Sequence, residues 1–74
     1  MEEQLIDLKG LKCPMPILRT KKALATLASG SILTVLATDK NAPEDFVAFC
    51  HHTGHELLQS SEENGVFKLV LKRK

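Results

Sequence analysis

The chain contains no tryptophan and no tyrosine, and three phenylalanines are its whole aromatic content in 74 residues. Proteins that bind single-stranded nucleic acid commonly stack bases on exposed aromatic side chains, so this composition argues against such a function. Ten lysines and arginines face nine acidic residues, which gives a formal net charge of +1. Because the balance is nearly neutral, we expect no direct, specific binding of nucleic acid, although it leaves a local basic patch open.

Long apolar runs are also missing. No stretch approaches the roughly 18 apolar residues of a membrane-spanning helix, and the N-terminal MEEQLIDL lacks the apolar segment of a signal peptide. Two cysteines are too few to indicate a disulfide framework. We therefore expect a cytoplasmic protein with reduced thiols and no membrane association, folded as a single domain over residues 1–74 and monomeric when alone.

Apolar periodicity and turn residues predict four strands and two helices in the order βαβαββ. Gly30 and Gly54 are expected to end the two helices, and Asn64-Gly65 to form a hairpin turn. A right-handed crossover would make the first two strands parallel. The predicted fold is an α/β (α+β) two-layer sandwich with a four-stranded mixed sheet and both helices on one face. The strands are expected over residues 4–8, 31–37, 56–61 and 66–72, and the helices over 14–28 and 43–53.

A cysteine lies against two prolines at the predicted start of the first helix. Cys13 is followed by Pro14 and Pro16, with Met15 between them. Proline pushes the preceding residue toward extended backbone angles, which are also the angles of an N-cap residue. We therefore expect Cys13 to be the N-cap, with its sulfur accepting a hydrogen bond from the N–H group of Met15. The prolines lack N–H groups themselves and would stiffen this turn.

The surroundings of Cys13 in the sequence suggest a reactive thiol. The helix dipole and the cation of Lys12, with Lys9 as a second cation, are predicted to lower the pKa of the Cys13 thiol. A lowered pKa favours the nucleophilic thiolate, and the same environment would stabilise a persulfide anion. The alternative is that Cys13 is a small apolar residue that fills the corner between strand and helix. The residues alone leave both readings open.

GLKCPMPILRTKKAL, residues 10–24, resembles the TusA/SirA family of sulfur-carrier proteins, which share a Cys-Pro-x-Pro motif at the start of their first helix. Residues 13–16 match this motif fully, and the resemblance extends over residues 5–72, including VLATDKNAPEDFVAFC and FKLVLKRK. It implies a two-layer sandwich and a cysteine that receives sulfane sulfur as a persulfide. By this match Cys13 carries the sulfur, and Pro14 and Pro16 position it.

Four further residues are expected to stabilise the thiolate or to dock a partner: Lys12, Met15, Arg19 and Asp39. The chain departs from the family in one loop. Many relatives follow the second strand with an acid-Pro or acid-acid-Pro turn, whereas residues 38–41 here read Thr-Asp-Lys-Asn and the proline comes at position 43. Asp39 keeps the acid, but the geometry of the loop and any partner contact through it are in question.

The sequence CHHTGH, residues 50–55, looks like a metal-binding cluster at first sight. Successive helical side chains point about 100° apart, so Cys50, His51 and His52 do not converge on one ion. Gly54 should end the helix before His55. We therefore expect no metal and no cofactor. Cys50 is predicted to be a buried structural thiol, with a second redox or resolving thiol as the alternative.

Two functions of different classes follow. In the first, Cys13 accepts sulfur from a donor protein such as a cysteine desulfurase or rhodanese and relays it to an acceptor protein, so that the chain is a relay rather than a complete enzyme. In the second, the chain is a non-catalytic regulatory or RNA- or protein-binding module in which Cys13 is structural. The basic residues of the first predicted helix and of the C-terminal end are a solvated face or a docking patch. These residues are Arg19, Lys21, Lys22, Lys72, Arg73 and Lys74.

Overall fold

The computed structural model describes residues 2–74 and shows four strands and two helices in the predicted order. The sheet order is β1-β2-β4-β3, with β1 parallel to β2 and the other two pairs antiparallel. The four-stranded mixed sheet and the βαβαββ order confirm the predicted fold. The elements are β1 (Glu3–Leu8), α1 (Met15–Ala25), β2 (Ile32–Ala37), α2 (Ala42–Thr53), β3 (Glu56–Glu63) and β4 (Val66–Lys72).

The core lies between one face of the sheet and the two helices. Leu33 and Val35 of β2 and Leu69 and Leu71 of β4 have no exposed surface, and they alternate along each strand with residues that keep some exposure. This alternation is the pattern of a sheet with one covered face. Phe46 of α2, also fully buried, belongs to the same apolar cluster.

Helix α1 is shorter than the prediction of residues 14–28. Pro14 is its N-cap residue and Thr26 its C-cap residue. At the C-terminal end the hydroxyl of Thr26 donates to the carbonyl oxygen of Ala23 at 2.7 Å, so a threonine rather than a glycine satisfies the end of the helix. Gly30, which was expected to end α1, lies instead in the turn before β2 with a φ of +88°. The prediction for Gly30 was therefore wrong.

Two other turn predictions are confirmed. Gly54 is the C-cap residue of α2, with a left-handed φ of +87°, and its N–H donates to the carbonyl oxygen of Cys50 at 2.9 Å. Asn64 and Gly65 have φ values of +53° and +82° between β3 and β4. Positive φ at both central residues is what a two-residue hairpin turn of this kind requires.

The topology brings two loops and two helix starts to one edge of the sheet. Because β1 and β2 are parallel and in register, their last residues, Leu8 and Ala37, are direct partners. The chain leaves both strands at this carboxyl edge and then enters α1 and α2. In open α/β sheets this edge is where ligand sites form. Neither helix within residues 2–74 is long and apolar enough to cross a membrane.

Candidate functional site at the carboxyl edge

The loop between β1 and α1 is held by backbone and side-chain hydrogen bonds. The N–H of Leu11 donates to the carbonyl oxygen of Leu8 at 3.2 Å. The N–H of Gly10 donates to Oγ1 of Thr38 at 2.9 Å, which joins this loop to the loop that follows β2. Gly10 has a φ of +87°, a backbone angle that favours glycine. The two loops are therefore fixed relative to each other just before Cys13.

Cys13 is exposed, and its backbone is anchored by Asp39. The N–H of Cys13 donates to Oδ2 of Asp39 at 3.0 Å, while Oδ1 of the same carboxylate accepts from the N–H of Asn41 at 3.4 Å. Asp39 thus bridges the cysteine loop and the start of α2. The loop after β2, which has no proline at residues 38–41, thus places its acid against the backbone of the cysteine.

A second carboxylate approaches the sulfur from the first turn of α2. The Sγ atom of Cys13 and carboxylate oxygens of Asp39 and Asp45 all lie within 4.8 Å of one another. Both acids are half-buried, whereas Cys13 is exposed. Across residues 2–74 this is the one group of three or more His, Cys, Asp or Glu side chains whose polar atoms lie this close together.

The two acids give the thiol a different character from the one predicted. Hydrogen bonding to Asp45 raises the pKa of Cys13, and partial desolvation and the negative charges of Asp45 and Asp39 raise it further. The prediction of a lowered pKa was therefore wrong. Negative charge next to a thiol disfavours the thiolate, and here carboxylates rather than cations stand beside the sulfur.

Two of the groups expected to stabilise a thiolate, the N–H of Met15 and the ammonium of Lys9, are engaged elsewhere. The N–H of Met15 donates to the carbonyl oxygen of Lys12 at 2.9 Å rather than to the sulfur of Cys13. The ammonium of Lys9 lies 3.7 Å from the carboxylate of Asp7. Pro14, and not Cys13, is the N-cap residue of α1, so Cys13 lies one position before the N-cap. The predicted N-cap role of Cys13 was therefore wrong.

The remaining predicted site residues occupy different surroundings. Pro14, the N-cap residue of α1, is exposed, whereas Pro16 is buried in the first turn of the helix. Lys12 is exposed and lines a shallow, open pocket of about 470 Å³ together with Asp39. Arg19 is exposed and lines a separate pocket with Ile6. No contact described for residues 2–74 joins Arg19 to Cys13.

The second cysteine and the histidines do not extend this site. Cys50 is 6% exposed in the apolar core, and burial raises the pKa of its thiol. The rings of His51 and His52 are 5.8 Å apart at the C-terminal end of α2, and both residues are exposed. Nδ1 of His55 accepts a hydrogen bond from the N–H of Lys74 at 3.1 Å. Within residues 2–74, no metal-ligand cluster therefore forms around CHHTGH.

Asp45 is the site residue that the sequence analysis missed. An acid two residues after Pro43, in the first turn of α2, is by itself an ordinary complement to the helix dipole, and no motif marks it. The available signal was topological. Parallel β1 and β2, each followed by a helix, place the start of α2 beside the start of α1, so acids early in α2 are candidates to reach Cys13.

Comparison with known proteins shows similar sequences and a similar fold in other organisms. A Neisseria meningitidis protein, named as a candidate sulfur carrier, is 60% identical over 74 residues, the full length of both chains. The sulfur carrier protein TusA of Allochromatium vinosum is 48% identical over 71 residues, covering 96% of this chain and 93% of its own. A SirA-like protein from Desulfitobacterium hafniense superposes with a TM-score of 0.82 at 30% identity, covering 93% of this chain and 95% of its own. The family model for sulfurtransferase TusA matches residues 4–73, and the chain therefore belongs to the TusA family of sulfur carriers.

Proposed function

We propose that this protein carries sulfane sulfur as a persulfide on Cys13, taking it from a donor protein and passing it to an acceptor protein. The observation that carries the proposal is the contrast between the two thiols. Cys13 is exposed at the carboxyl edge of the sheet, whereas Cys50 lies in the core. An exposed sulfur that is held by its own backbone at a fixed place is suited to exchange between two partners.

The chemistry is thiol–persulfide exchange and needs neither metal nor cofactor. Cys13 attacks the outer sulfur of a donor persulfide, the bond between the two donor sulfurs breaks, and the donor thiol leaves. The acceptor thiol then attacks the outer sulfur of the Cys13 persulfide in the same way. Each partner contributes the other half of its exchange site, so the chain acts as a relay rather than as a complete enzyme.

The proposed donors are a cysteine desulfurase or a rhodanese-like protein in the cytoplasm. The acceptor would belong to a pathway such as tRNA 2-thiolation or molybdenum cofactor assembly. Docking is proposed to use Lys12, Met15 and Arg19, together with one exposed apolar side chain from each helix. Those are Leu18, which is 52% exposed, and Val47, which is 56% exposed.

Mass spectrometry of the intact protein tests the proposal. After incubation with a cysteine desulfurase and cysteine, we expect a gain equal to the mass of one sulfur atom, reversed by a reducing agent. Cys13→Ser should abolish the gain. Cys50→Ala should keep it, although the lost core volume should reduce the free energy of unfolding by about 1 kcal/mol. Sulfur loading that persists in Cys13→Ser, or that is lost in a folded Cys50→Ala protein, would contradict the assignment.

A further inference from the structure

The geometry of the site points to Asp45 as the group that takes the proton from Cys13 when sulfur is loaded and returns it when sulfur leaves; this inference rests on the proposed function. Asp45 would then be a catalytic residue, because a carboxylate oxygen of Asp45 lies within 4.8 Å of the reacting sulfur. No motif in the sequence marks it, and it acts across the junction between α1 and α2.

The two acids at the site differ in their hydrogen-bond partners. Asp39 accepts from the backbone N–H groups of Cys13 and Asn41, so both of its oxygens are occupied by the backbone. Among residues 2–74, no backbone or other side-chain donor is hydrogen-bonded to the carboxylate of Asp45. Its oxygen lies within 4.8 Å of Sγ. Asp39 is thus the positioning residue, and Asp45 has oxygens free to accept the thiol proton.

The state of the resting thiol explains why a proton acceptor is needed. Since hydrogen bonding to Asp45 and the charges of Asp45 and Asp39 raise the pKa of Cys13, the free carrier holds a protonated thiol at neutral pH. The thiolate is the nucleophile, so the proton must leave at the time of attack. A base that already lies beside the thiol can accept this proton, so neither the partner nor bulk water has to accept it.

The exchange balances without any oxidant or reductant. In loading, the Cys13 thiol gives its proton to the Asp45 carboxylate, and its sulfur bonds to the outer sulfur of R–S–SH. The donor S–S bond breaks, R–S⁻ leaves, and that thiolate takes the proton from Asp45, which gives Cys13–S–SH and R–SH. In unloading, the acceptor thiol gives its proton to the Asp45 carboxylate as its sulfur attacks the outer sulfur of Cys13–S–SH. The S–S bond breaks, the Cys13 sulfur leaves with the electron pair, and it takes the proton from Asp45, which gives Cys13–SH and the acceptor persulfide.

The charged groups around the sulfur are few. Asp45 faces it from α2 and Asp39 from the loop after β2, and both are negative. On its own loop the neighbouring charged residue is Lys12, which is exposed. Removing the charge of Asp45 should therefore move the thiol pKa downward and increase the thiolate fraction. If Asp45 acts only through its charge, Asp45→Asn should therefore take up sulfur faster than wild type. If Asp45 accepts the thiol proton, the same variant should take up sulfur more slowly.

The test compares Asp45→Asn with Glu44→Gln, which removes an exposed carboxylate from the same turn of α2. Two rates are measured on each protein between about pH 5.5 and 8, a range that spans neutral pH. The first is alkylation of Cys13 by iodoacetamide, which reports the thiolate. The second is sulfur uptake from glutathione persulfide, a small persulfide that needs no docking, followed by intact mass.

We expect Asp45→Asn to be alkylated faster than wild type at neutral pH, yet to take up sulfur more slowly, by about tenfold or more. The ratio of its uptake rate to that of wild type should fall as the pH is lowered, because only the variant depends on prior loss of the thiol proton. The persulfide probe titrates in the same way with both proteins, so its own pH dependence cancels when the uptake rate of the variant is divided by that of wild type. Glu44→Gln should follow wild type in both assays, and Asp45→Glu should restore part of the uptake.

Opposite results would separate the alternatives. If sulfur uptake by Asp45→Asn rises in parallel with its alkylation, Asp45 acts only through its charge and the inference is overturned. If wild type takes up no sulfur on Cys13, or Cys13→Ser takes up as much as wild type, the proposed function fails and the inference fails with it. Circular dichroism of each variant shows that a slower rate does not come from loss of the fold.

Discussion

The two cysteines show how the position of a residue decides what it can do. Cys13 and Cys50 have thiols with raised pKa values, but for different reasons: a carboxylate neighbour at Cys13 and burial at Cys50. Burial keeps a thiol from reagents whatever the conditions. A carboxylate neighbour lowers the thiolate fraction but leaves the sulfur accessible. The exposed thiol is therefore protected at rest and still available to a partner.

His55 gives the chain a pH dependence at the level of one side chain. Partial burial lowers the pKa of His55, and the positive charges of Lys74 and Arg73 lower it further. The unfolded chain therefore binds this proton more readily than the folded chain does. The stabilisation is complete above the ordinary histidine pKa of about 6.5 and is lost as the pH falls through that value toward the folded pKa.

Thermal unfolding at several pH values tests this prediction. We expect the Tm of wild type to fall as the pH is lowered from about 7.5 to about 5.5, and the fall to be smaller in His55→Gln, which does not titrate in that range. Protonation would also cost the acceptor at Nδ1 that binds the N–H of Lys74. The matched control is His51→Gln, an exposed histidine that should keep the wild-type slope. Equal slopes in the two variants would show that His55 is not responsible.

At the scale of elements, the end of β4 is tied to the end of α1 by one arginine. The Nε of Arg73 donates to the carbonyl oxygen of Leu24, in the last turn of α1, at 2.8 Å. The backbone of Arg73 also pairs with the turn before β2, through Gly30 at 2.9 Å and Ser31 at 2.8 Å. A charged donor on a helix C-terminal carbonyl is favourable both as a hydrogen bond and through the helix dipole.

Removing this contact should lower stability without touching the sulfur site. Arg73→Ala is expected to reduce the free energy of unfolding by about 1.5 kcal/mol, the low end for a hydrogen bond to a charged group, because the site is only partly buried. Urea unfolding measures the loss. Lys72→Ala, an exposed neighbour, is the control and should stay near wild type. Sulfur uptake on Cys13 should be unchanged, since Arg73 lies at the opposite edge of the sheet.

The strands were predictable to within about two residues at each end because their signals are local. Apolar alternation in β4 and the Asn64-Gly65 turn belong to contiguous residues, and the observed β4, Val66–Lys72, equals the predicted range. The ends of α1 were predicted less well. Its N-terminus depends on how Lys12 and Met15 pair in the loop, and its C-terminus on Thr26, and neither pairing follows from propensity alone.

The site shows a similar division between local and distant information. The prediction that Cys13 carries the sulfur came from the Cys-Pro-x-Pro motif, whose residues are adjacent in the sequence. The pKa of that thiol could not be predicted from the same residues, since the groups that set it are Asp39 and Asp45, 26 and 32 positions further along the chain. Lys12 adjoins Cys13 in the sequence, yet the carboxylates are the charges that act on it. Only the parallel pairing of β1 and β2 brings these segments together.

At the scale of the whole molecule, the size of the protein explains its dependence on partners. The chain measures about 30 × 22 × 18 Å, and the core occupies one layer between sheet and helices. A domain this small buries too little to enclose a deep cavity as well. The pocket beside Asp39 and Lys12 is accordingly shallow and open. Exclusion of water from a transferring sulfur must therefore come from the surface of the partner.

The distribution of aromatic residues and charge over the molecule also predicts weak contact with nucleic acid. Phe46 has no exposed surface, and Phe49 and Phe67 pack against the core, so none of the three offers a free ring for base stacking. With a net charge of +1, electrostatic attraction is also small.

We expect a fluorescent single-stranded RNA to show a Kd weaker than about 10⁻⁴ M at about 0.15 M salt, in an anisotropy titration. As a control, the same titration is carried out at low salt, where Lys21→Glu should bind more weakly than wild type. Saturable micromolar binding at physiological salt that is unchanged in Cys13→Ser would instead favour a binding module in which the cysteine is structural.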